Sequence, residues 1–156
     1  MRVHICAVGR LRAGPEQDLL NDYLTRFDRT GSSLGLSLGD VREVEDKKNL
    51  GKDAEAELLR RAIPDGSVVV AMDERGQVIT SPEFADKLAH WRDDGRRDLC
   101  LLIGGADGLA KDLRAQADFR LSFGKMVWPH MLARVMLSEQ LYRAASILSG
   151  APYHRV

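Results

Sequence analysis

Short apolar runs alternate with stretches of helical periodicity along the whole chain. Residues 3–8, VHICAV, predict a strand. In PEQDLLNDYLTRFDR, residues 15–29, apolar side chains recur at helical spacing behind Pro15, which predicts an amphipathic helix. Residues 34–45 alternate apolar and polar side chains at period two before the pattern breaks. The Gly- and Ser-rich stretch 29–41 leaves open whether this region starts as a loop or forms an edge strand.

The alternation continues through the second half of the chain. Helical spacing in residues 54–63 is ended by Pro64, and SVVVAMD, residues 67–73, predicts a strand buried on both faces. A helix over residues 81–95 follows, with Ser81 as its N-cap. The remaining predicted elements are a strand at 99–103, a short helix at 109–117, a strand at 119–123 and a long final helix beyond Pro129.

Five strands alternating with five helices predict an α/β fold with a largely parallel sheet and helices on both faces. The length of 156 residues and an apolar content of 44% predict one domain over residues 1–156. The 23 basic and 23 acidic side chains cancel, so no global field draws the protein to nucleic acid or to an anionic membrane. Any such partner has to meet a local basic patch.

Cysteine usage and the N-terminus indicate where the protein works. Cys6 and Cys100 lie in apolar runs without a second cysteine or a histidine at metal-ligand spacing, which predicts buried thiols in a reducing compartment and no metal site. The apolar run at the N-terminus is too short for a signal peptide, and no stretch approaches the roughly 18 apolar residues of a membrane span. The sequence therefore predicts a soluble cytoplasmic protein without a membrane partner.

LLIGGADGL, residues 101–109, places three glycines directly after a buried strand. In open parallel sheets, ligands gather at the carboxyl ends of strands, where a backbone without side chains can approach a ligand closely. The alternative is a tight strand-to-helix turn that binds nothing, and the residues alone favour neither. The loop has neither the dinucleotide fingerprint nor the phosphate-binding one, so NAD and ATP are not expected.

The largely apolar stretch FGKMVW, residues 123–128, predicts a loop that ends at Pro129. Such a loop needs cover from the protein's own core, from an aromatic ligand or from a partner. The helix behind it is apolar over more than half its circumference, which predicts packing on the sheet plus either neighbouring helices or another subunit. Glu139 and Arg143 stand four residues apart on this helix, the spacing of a surface ion pair.

The glycine run LLIGGADGL, the later WPHMLARVMLSEQLYRAASI and the ending PYHR together resemble the bacterial large-subunit rRNA pseudouridine N3-methyltransferase family of the SPOUT superfamily. The resemblance runs nearly end to end. It implies a C-terminal trefoil knot, which the periodicities do not show, and a homodimer that binds S-adenosylmethionine at the knot. The implied activity is methylation of N3 of a pseudouridine in 23S ribosomal RNA. The assembled ribosome is the expected substrate, because a small neutral enzyme has little charge with which to hold naked RNA.

The resemblance also implies site residues. A ring imide must lose a proton when it is methylated, so the catalytic candidates are groups that take a proton or stabilise charge: His130, Tyr153, His154 and Arg155. From the residues alone, His130 could merely cap or pack, and the last residues of a chain usually fray. The implied cofactor contacts are Met72, Gly104, Gly105, Phe123, Gly124, Lys125, Met126, Val127 and Trp128.

Two other functions stay open at this stage. A non-catalytic nucleotide-binding or ribosome-associated module with the same glycine loop predicts binding without need of the cofactor and tolerance of tail deletion. A SPOUT methyltransferase for another RNA, such as tRNA, is the second, since one fold supports several targets. The PYHR ending and the missing tRNA-binding extension favour the ribosomal assignment.

Overall fold

A computed structural model of the protein describes residues 1–155 and contains every predicted strand and helix, with some boundaries shifted. The strands are β1 (Arg2–Val8), β2 (Ser37–Val44), β3 (Val68–Val78), β4 (Asp98–Ile103) and β5 (Phe119–Ser122). The helices are α1 (Pro15–Gly31), α2 (Lys52–Ala62), α3 (Ser81–Asp93), α4 (Lys111–Gln116) and α5 (His130–Ser149). A 3-10 turn at Ser32–Leu34 precedes β2.

All five strands form one sheet in the order β2-β1-β4-β3-β5, and every neighbouring pair is parallel. The predicted α/β fold with a parallel sheet is therefore confirmed. β2 lies at one edge, so the Gly- and Ser-rich stretch contains a 3-10 turn that leads into an edge strand. Parallel strands direct their carboxyl ends to the same side of a sheet, and the loops after β3, β4 and β5 consequently meet there.

Helices cover both faces of this sheet. On one face α1, α3 and α5 pack on strand residues that include Ile5 and Leu101. On the other face α2 and α4 pack on the alternate strand residues, among them Cys6 and Leu102. Successive side chains of β1 and β4 thus enter different cores, which explains why these strands read as continuous apolar runs.

The two cysteines lie side by side between β1 and β4. Cys6 and Cys100 are free and buried, with their Sγ atoms 3.1 Å apart, so the prediction of buried thiols is confirmed. Within residues 1–155, no group of three or more His, Cys, Asp or Glu side chains is arranged to hold a metal ion. None of the helices in that range is long and apolar enough to cross a membrane.

α3 begins where the sequence predicts, but its cap is a different residue. The Thr80 hydroxyl accepts the Glu83 N–H at 3.3 Å, and the Glu83 carboxylate accepts the Thr80 N–H at 2.6 Å. This reciprocal pair is a capping box, so Thr80 and not Ser81 is the N-cap. Ser81 instead donates its hydroxyl to Gln140 Oε1 of α5 at 2.7 Å and so ties the two helices together.

β3 extends to Val78, beyond the predicted end at Asp73. Its pairing with β5 is interrupted between Met72 and Gln77, where the chain bulges out of the ladder before pairing resumes. A bulge of this kind re-aims side chains at the end of a strand. Here it lies at the carboxyl side of the sheet, where the loops after β4 and β5 also lie.

α5 packs against α1 and α3 and also contacts β4. Leu137, Leu141 and Ala144 are buried in these contacts. Neighbouring helices of the same chain therefore supply the second surface that the apolar circumference of α5 requires. The first turn is different, because Met131 and Leu132 remain exposed there.

Candidate functional site

A cavity of about 500 Å³ opens at the carboxyl side of the sheet. It is lined by the bulged part of β3, by the end of β4, by the glycine loop 104–109, by the loop after β5 and by the first turn of α5. The cavity forms where β3 bulges out of its pairing with β5 and where β4 and β5 end in loops that leave the core. Its volume lies within the roughly 300–1,000 Å³ that small-molecule and cofactor sites occupy.

The cavity brings together most of the residues that the sequence assigned to a cofactor. His130 joins them, whereas Lys125 does not line the cavity, and neither do the tail residues Tyr153, His154 and Arg155. The assigned residues that line it are Met72, Gly104, Gly105, Phe123, Gly124, Met126, Val127 and Trp128.

The glycine loop doubles back on itself beside the cavity. The Gly108 N–H donates to the Gly105 carbonyl at 3.0 Å, and Gly108 has a φ of 74°, in the left-handed region. A Cβ added to Gly104 would lie 2.5 Å from the carbonyl carbon of Gly108, and one added to Gly105 would lie 3.1 Å from Val8 Cγ1. The glycines thus serve the tight turn that was the alternative hypothesis, and the turn itself forms part of the cavity wall.

The loop after β5 exposes its apolar side chains beside the cavity. Met126 is 72% exposed and Val127 is 79% exposed, and Trp128 is also exposed. Gly124 has a φ of 113°, and its N–H donates to Ser122 Oγ at 3.1 Å, which sets the direction in which the loop leaves β5. The protein's own core does not cover this loop, so a ligand or a partner is the remaining cover.

His130 is the first residue of α5 and lines the cavity. Its Nδ1 is buried and has no hydrogen-bond partner within residues 1–155. Burial lowers the pKa of His130 below its ordinary value of 6.5, and the charge of Arg134 lowers it further. The imidazole is therefore neutral near pH 7 and able to accept a proton.

Arg134, one turn beyond His130, is only 1% exposed. Its guanidinium donates to the carbonyls of Val8 at 3.0 Å and Gly9 at 2.7 Å, and it pairs with Glu43 at 2.8 Å. These bonds tie the end of β1 and the edge strand β2 to the first turn of α5. Sequence reasoning did not give Arg134 this role, although a charged side chain inside an apolar helix was an available signal.

Asp73 and Arg114 form an ion pair at the cavity. Asp73 is buried, and its Oδ1 lies 3.3 Å from Nη1 of Arg114 and accepts the N–H of Arg75 at 3.1 Å. The Nε of Arg114 is buried without a partner in the described part of the chain. Together with Nδ1 of His130, it is a polar atom at the cavity that the protein leaves free for a ligand.

The C-terminal tail folds back onto α5 of its own chain. The Tyr153 hydroxyl donates to Glu139 Oε1 at 2.9 Å, and Arg143 donates to the same oxygen at 2.6 Å. Nη1 of Arg143 also lies 3.3 Å from Nδ1 of His154. Burial and the Glu139 carboxylate raise the pKa of Tyr153 above its ordinary value of 10. The Glu139–Arg143 ion pair is confirmed, and Tyr153 and His154 contact this pair.

Within one chain, Tyr153, His154 and Arg155 do not line the cavity. Glu139, which holds the tail, lies about 13 Å further along α5 than His130 at the usual helical rise. The structure therefore places His130 with the predicted cofactor contacts and leaves the other three catalytic candidates apart from them.

Fold and cavity together define a class of protein. An open parallel sheet with a cavity at the carboxyl ends of its strands, lined by a glycine loop and an apolar loop, is typical of α/β enzymes that bind a nucleotide-like cofactor. A family model described as "Predicted SPOUT methyltransferase" matches residues 1–154. The chain therefore belongs to the SPOUT methyltransferase family, as the sequence motifs indicated.

Curated relatives match the chain over its full length. It is 70% identical over 156 residues to "Ribosomal RNA large subunit methyltransferase H" of Dinoroseobacter shibae, with 100% of both chains covered. Identity to the protein of the same name from Ruegeria sp. (strain TM1040) is 67% over 156 residues, again with 100% of both chains covered. For the protein of that name from Cereibacter sphaeroides (strain KD131) the identity is 62%, with the same coverage.

Solved structures share the fold at much lower identity. The "probable methylase family protein" from Haemophilus influenzae Rd KW20 is 15% identical with a TM-score of 0.52, over 99% of this chain and 70% of that chain. TrmJ from Z. mobilis ZM4 is 16% identical with a TM-score of 0.51, over 97% of this chain and 72% of that chain. At these identities the likeness concerns the fold alone, and it agrees with the observed parallel sheet.

Proposed function

We propose that this protein is an S-adenosylmethionine-dependent methyltransferase that methylates N3 of a pseudouridine in 23S ribosomal RNA, with residues 1–156 acting as one domain. Full-length identity of 62–70% to proteins named as large-subunit ribosomal RNA methyltransferases carries the ribosomal part of the proposal. The pseudouridine and its N3 rest on the family resemblance of the SEQLYRA and PYHR motifs. The trefoil knot has the same basis and stays a prediction.

The residues at the cavity suit S-adenosylmethionine. This cofactor joins a nucleoside to a charged amino acid, so it needs an apolar surface and polar partners. The loop after β5 offers exposed Met126, Val127 and Trp128. Nδ1 of His130 and Nε of Arg114 are buried polar atoms that have no hydrogen-bond partner among residues 1–155. When bound, the cofactor supplies a methyl group that its sulfonium already activates.

The chain's own residues then have to align the acceptor base and remove its proton. An imide nitrogen becomes a competent nucleophile as it loses its proton, so a base or a charge-stabilising group has to stand beside it. His130 is neutral near pH 7 because its pKa is lowered by burial, and it can accept that proton. Arg155 carries a permanent charge that suits a phosphate or the anionic edge of the base. Tyr153 keeps its proton, because burial and the Glu139 carboxylate raise its pKa, and its hydroxyl donates that proton to Glu139 in a hydrogen bond.

These groups form one site only when a second copy supplies the tail. In one chain the tail docks on α5 away from the cavity, while Met126, Val127 and Trp128 beside the cavity and Met131 and Leu132 on the first turn of α5 are exposed. We therefore propose a homodimer in which the tail of one chain completes the cavity of the other. The second copy would also cover the apolar loop, which the protein's own core leaves bare.

The assembled ribosome is the proposed form of the substrate. The net charge of zero gives the protein little general attraction for phosphate, which supplies most of the affinity of proteins for free nucleic acid. The assembled ribosome also presents surfaces of fixed shape that the protein can contact, and free RNA lacks these surfaces.

Methyl transfer from radiolabelled S-adenosylmethionine tests this function. The acceptors are intact ribosomes from cells that lack this protein, isolated large subunits, free ribosomal RNA and bulk tRNA. We expect label in intact ribosomes, mapped to N3 of a pseudouridine. Label confined to tRNA would assign another RNA target, and cofactor binding without label in any RNA would favour a non-catalytic module.

A further inference from the structure

Glu139 and Arg143 hold several parts of the tail at once, which is more than a surface ion pair does. Glu139 Oε1 accepts hydrogen bonds from the Tyr153 hydroxyl at 2.9 Å and from Arg143 at 2.6 and 3.0 Å. The Arg143 guanidinium lies 4.8 Å from the centre of the Tyr153 ring, whose other neighbour is the Tyr142 ring at 4.5 Å. Tyr153 is thus fixed through both its hydroxyl and its ring, and His154 follows it onto α5.

The contact of Arg143 with His154 decides which nitrogen of the imidazole carries the proton. Nη1 of Arg143 lies 3.3 Å from Nδ1 of His154. A guanidinium can only donate hydrogen bonds, so Nδ1 has to accept, and a neutral ring then carries its hydrogen on Nε2. A hydrogen on Nδ1 would point at the guanidinium of Arg143, which is also a donor, and the hydrogen bond between the two side chains would be lost. The docked tail therefore presents an N–H at Nε2.

This arrangement differs from an ordinary ion pair on the surface of a helix, such as one on α2. Glu57 and Arg61 of α2 have the same spacing, at 3.5 Å, with side chains 53% and 75% exposed. The Glu139 and Arg143 side chains are only 17% and 26% exposed, because the tail packs over them. Exposed pairs contribute little to stability, so the pair on α2 is a suitable control.

We propose that Glu139 and Arg143 are positioning residues for methyl transfer, which dock the tail on α5 and hold His154 as the Nε2–H tautomer. His154 then donates a hydrogen bond to the negative charge that develops on the ring of the substrate base, and it is not the proton acceptor. The N3–H bond breaks with its proton passing to His130, and the electron pair left on N3 forms the bond to the transferred methyl as a neutral thioether leaves. This inference rests on the proposed function, because the tail has to complete the cavity of a second copy.

Long-range ¹H–¹⁵N spectra of histidine-labelled protein test the tautomer directly, with the His154 signals assigned by their loss in His154→Gln. In mildly alkaline buffer, where free histidine is neutral, we expect wild-type His154 to carry its proton on Nε2. Arg143→Met removes the donor and should give a mixture of tautomers, whereas Arg61→Met should leave the His154 signals unchanged. A wild-type spectrum with the proton on Nδ1 would overturn the inference.

Kinetics of methyl transfer to ribosomes from cells that lack this protein test the positioning role. We expect Glu139→Gln and Arg143→Met to lower kcat by about tenfold to a hundredfold, as misplaced catalytic groups do, with cofactor affinity unchanged by calorimetry. Arg143→Lys, which keeps a donor for Nδ1, should recover part of the activity, and Glu57→Gln should have no effect.

Full activity of Glu139→Gln and Arg143→Met, alongside an inactive tail deletion, would overturn the inference and leave the proposed function intact. Wild-type protein that methylates no RNA, yet shows the Nε2–H tautomer, would instead overturn the proposed function and keep only the docking of the tail.

Discussion

The glycines of one loop differ in how much space there is for a side chain. A Cβ on Gly104 would lie 2.5 Å from the backbone of its own loop, whereas a Cβ on Gly108 would meet no atom of residues 1–155 within 4 Å and would be strained only by its φ of 74°. Lys125 belongs to the apolar loop by sequence, yet it does not line the cavity as its neighbours do. Sequence predicts that a loop reaches a site, but the turn of the backbone decides which of its side chains face it.

We expect Gly104→Ala to weaken binding of S-adenosylmethionine and to lower the melting temperature, because the new Cβ would collide with the backbone of Gly108 and change the shape of the loop. Gly108→Ala is the matched control, for which the left-handed φ costs about 1–2 kcal/mol but no atom is displaced. Calorimetric titration and thermal unfolding of both variants measure the difference. Equal cofactor affinities in the two variants would contradict a role of the Gly104 contact in shaping the cavity.

His130 makes the stability of the folded chain depend on pH. Burial, followed by the charge of Arg134, lowers its folded pKa below 6.5, so between the two values the unfolded chain binds more protons and the free energy of unfolding rises with pH. We therefore expect wild-type protein to lose stability as the pH falls below about 6.5, and His130→Gln to lose less. Urea unfolding at a series of pH values measures this, and parallel curves for the two proteins would refute it.

At the scale of elements, periodicity predicted every strand and helix, because each buries one or both faces in a core. The boundaries that differ depend on bonds with other parts of the chain. Thr80 caps α3 through Glu83, a pattern present in the sequence, but the extension of β3 to Val78 depends on pairing with β5. The hydrogen bonds by which Arg134 joins α5 to the end of β1 likewise connect parts of the chain that are far apart in sequence.

We expect Arg134→Met to lower the free energy of unfolding by about 3–5 kcal/mol, the usual cost of leaving one partner of a buried pair alone. The carboxylate of Glu43 and the carbonyls of Val8 and Gly9 would lose their donor. Arg61→Met on the exposed face of α2 should cost less than about 1 kcal/mol. Urea unfolding compares them, and the double variant Arg134→Met/Glu43→Gln should regain part of the loss. Similar costs for Arg134→Met and Arg61→Met would show that the buried network contributes little.

On the scale of the whole molecule, one chain keeps two groups of predicted site residues apart. The cavity contains His130 and the predicted cofactor contacts, whereas Tyr153 and His154 are docked on α5. A homodimer would join the cavity of one chain to the tail of the other. Such an assembly makes activity depend on residues from both copies, which can be tested by mixing variants.

Deletion of Tyr153 to Val156 should abolish methyl transfer to ribosomes and leave binding of S-adenosylmethionine unchanged, because the cavity is built from other residues. Mixing the deleted chain with a chain that carries His130→Ala should restore activity, since one cavity of each mixed dimer then has both His130 and a tail. Each variant measured alone is the control. Full activity of the deleted chain, or no recovery in the mixture, would remove the tail from the site.

The order of the elements, the parallel sheet and the loops that reach the cavity can be predicted from the amino-acid sequence, because they follow from local periodicity and from strands that must be buried on both faces. Its motifs also determined the family. Three features emerge only from the folded chain: Gly104 is required by its own loop, Arg134 is buried in an ion pair, and Tyr153 and His154 are docked on Glu139 and Arg143. These are contacts between segments far apart in the chain or between atoms of one folded loop, and no spacing along the sequence encodes which atoms meet when the segments pack.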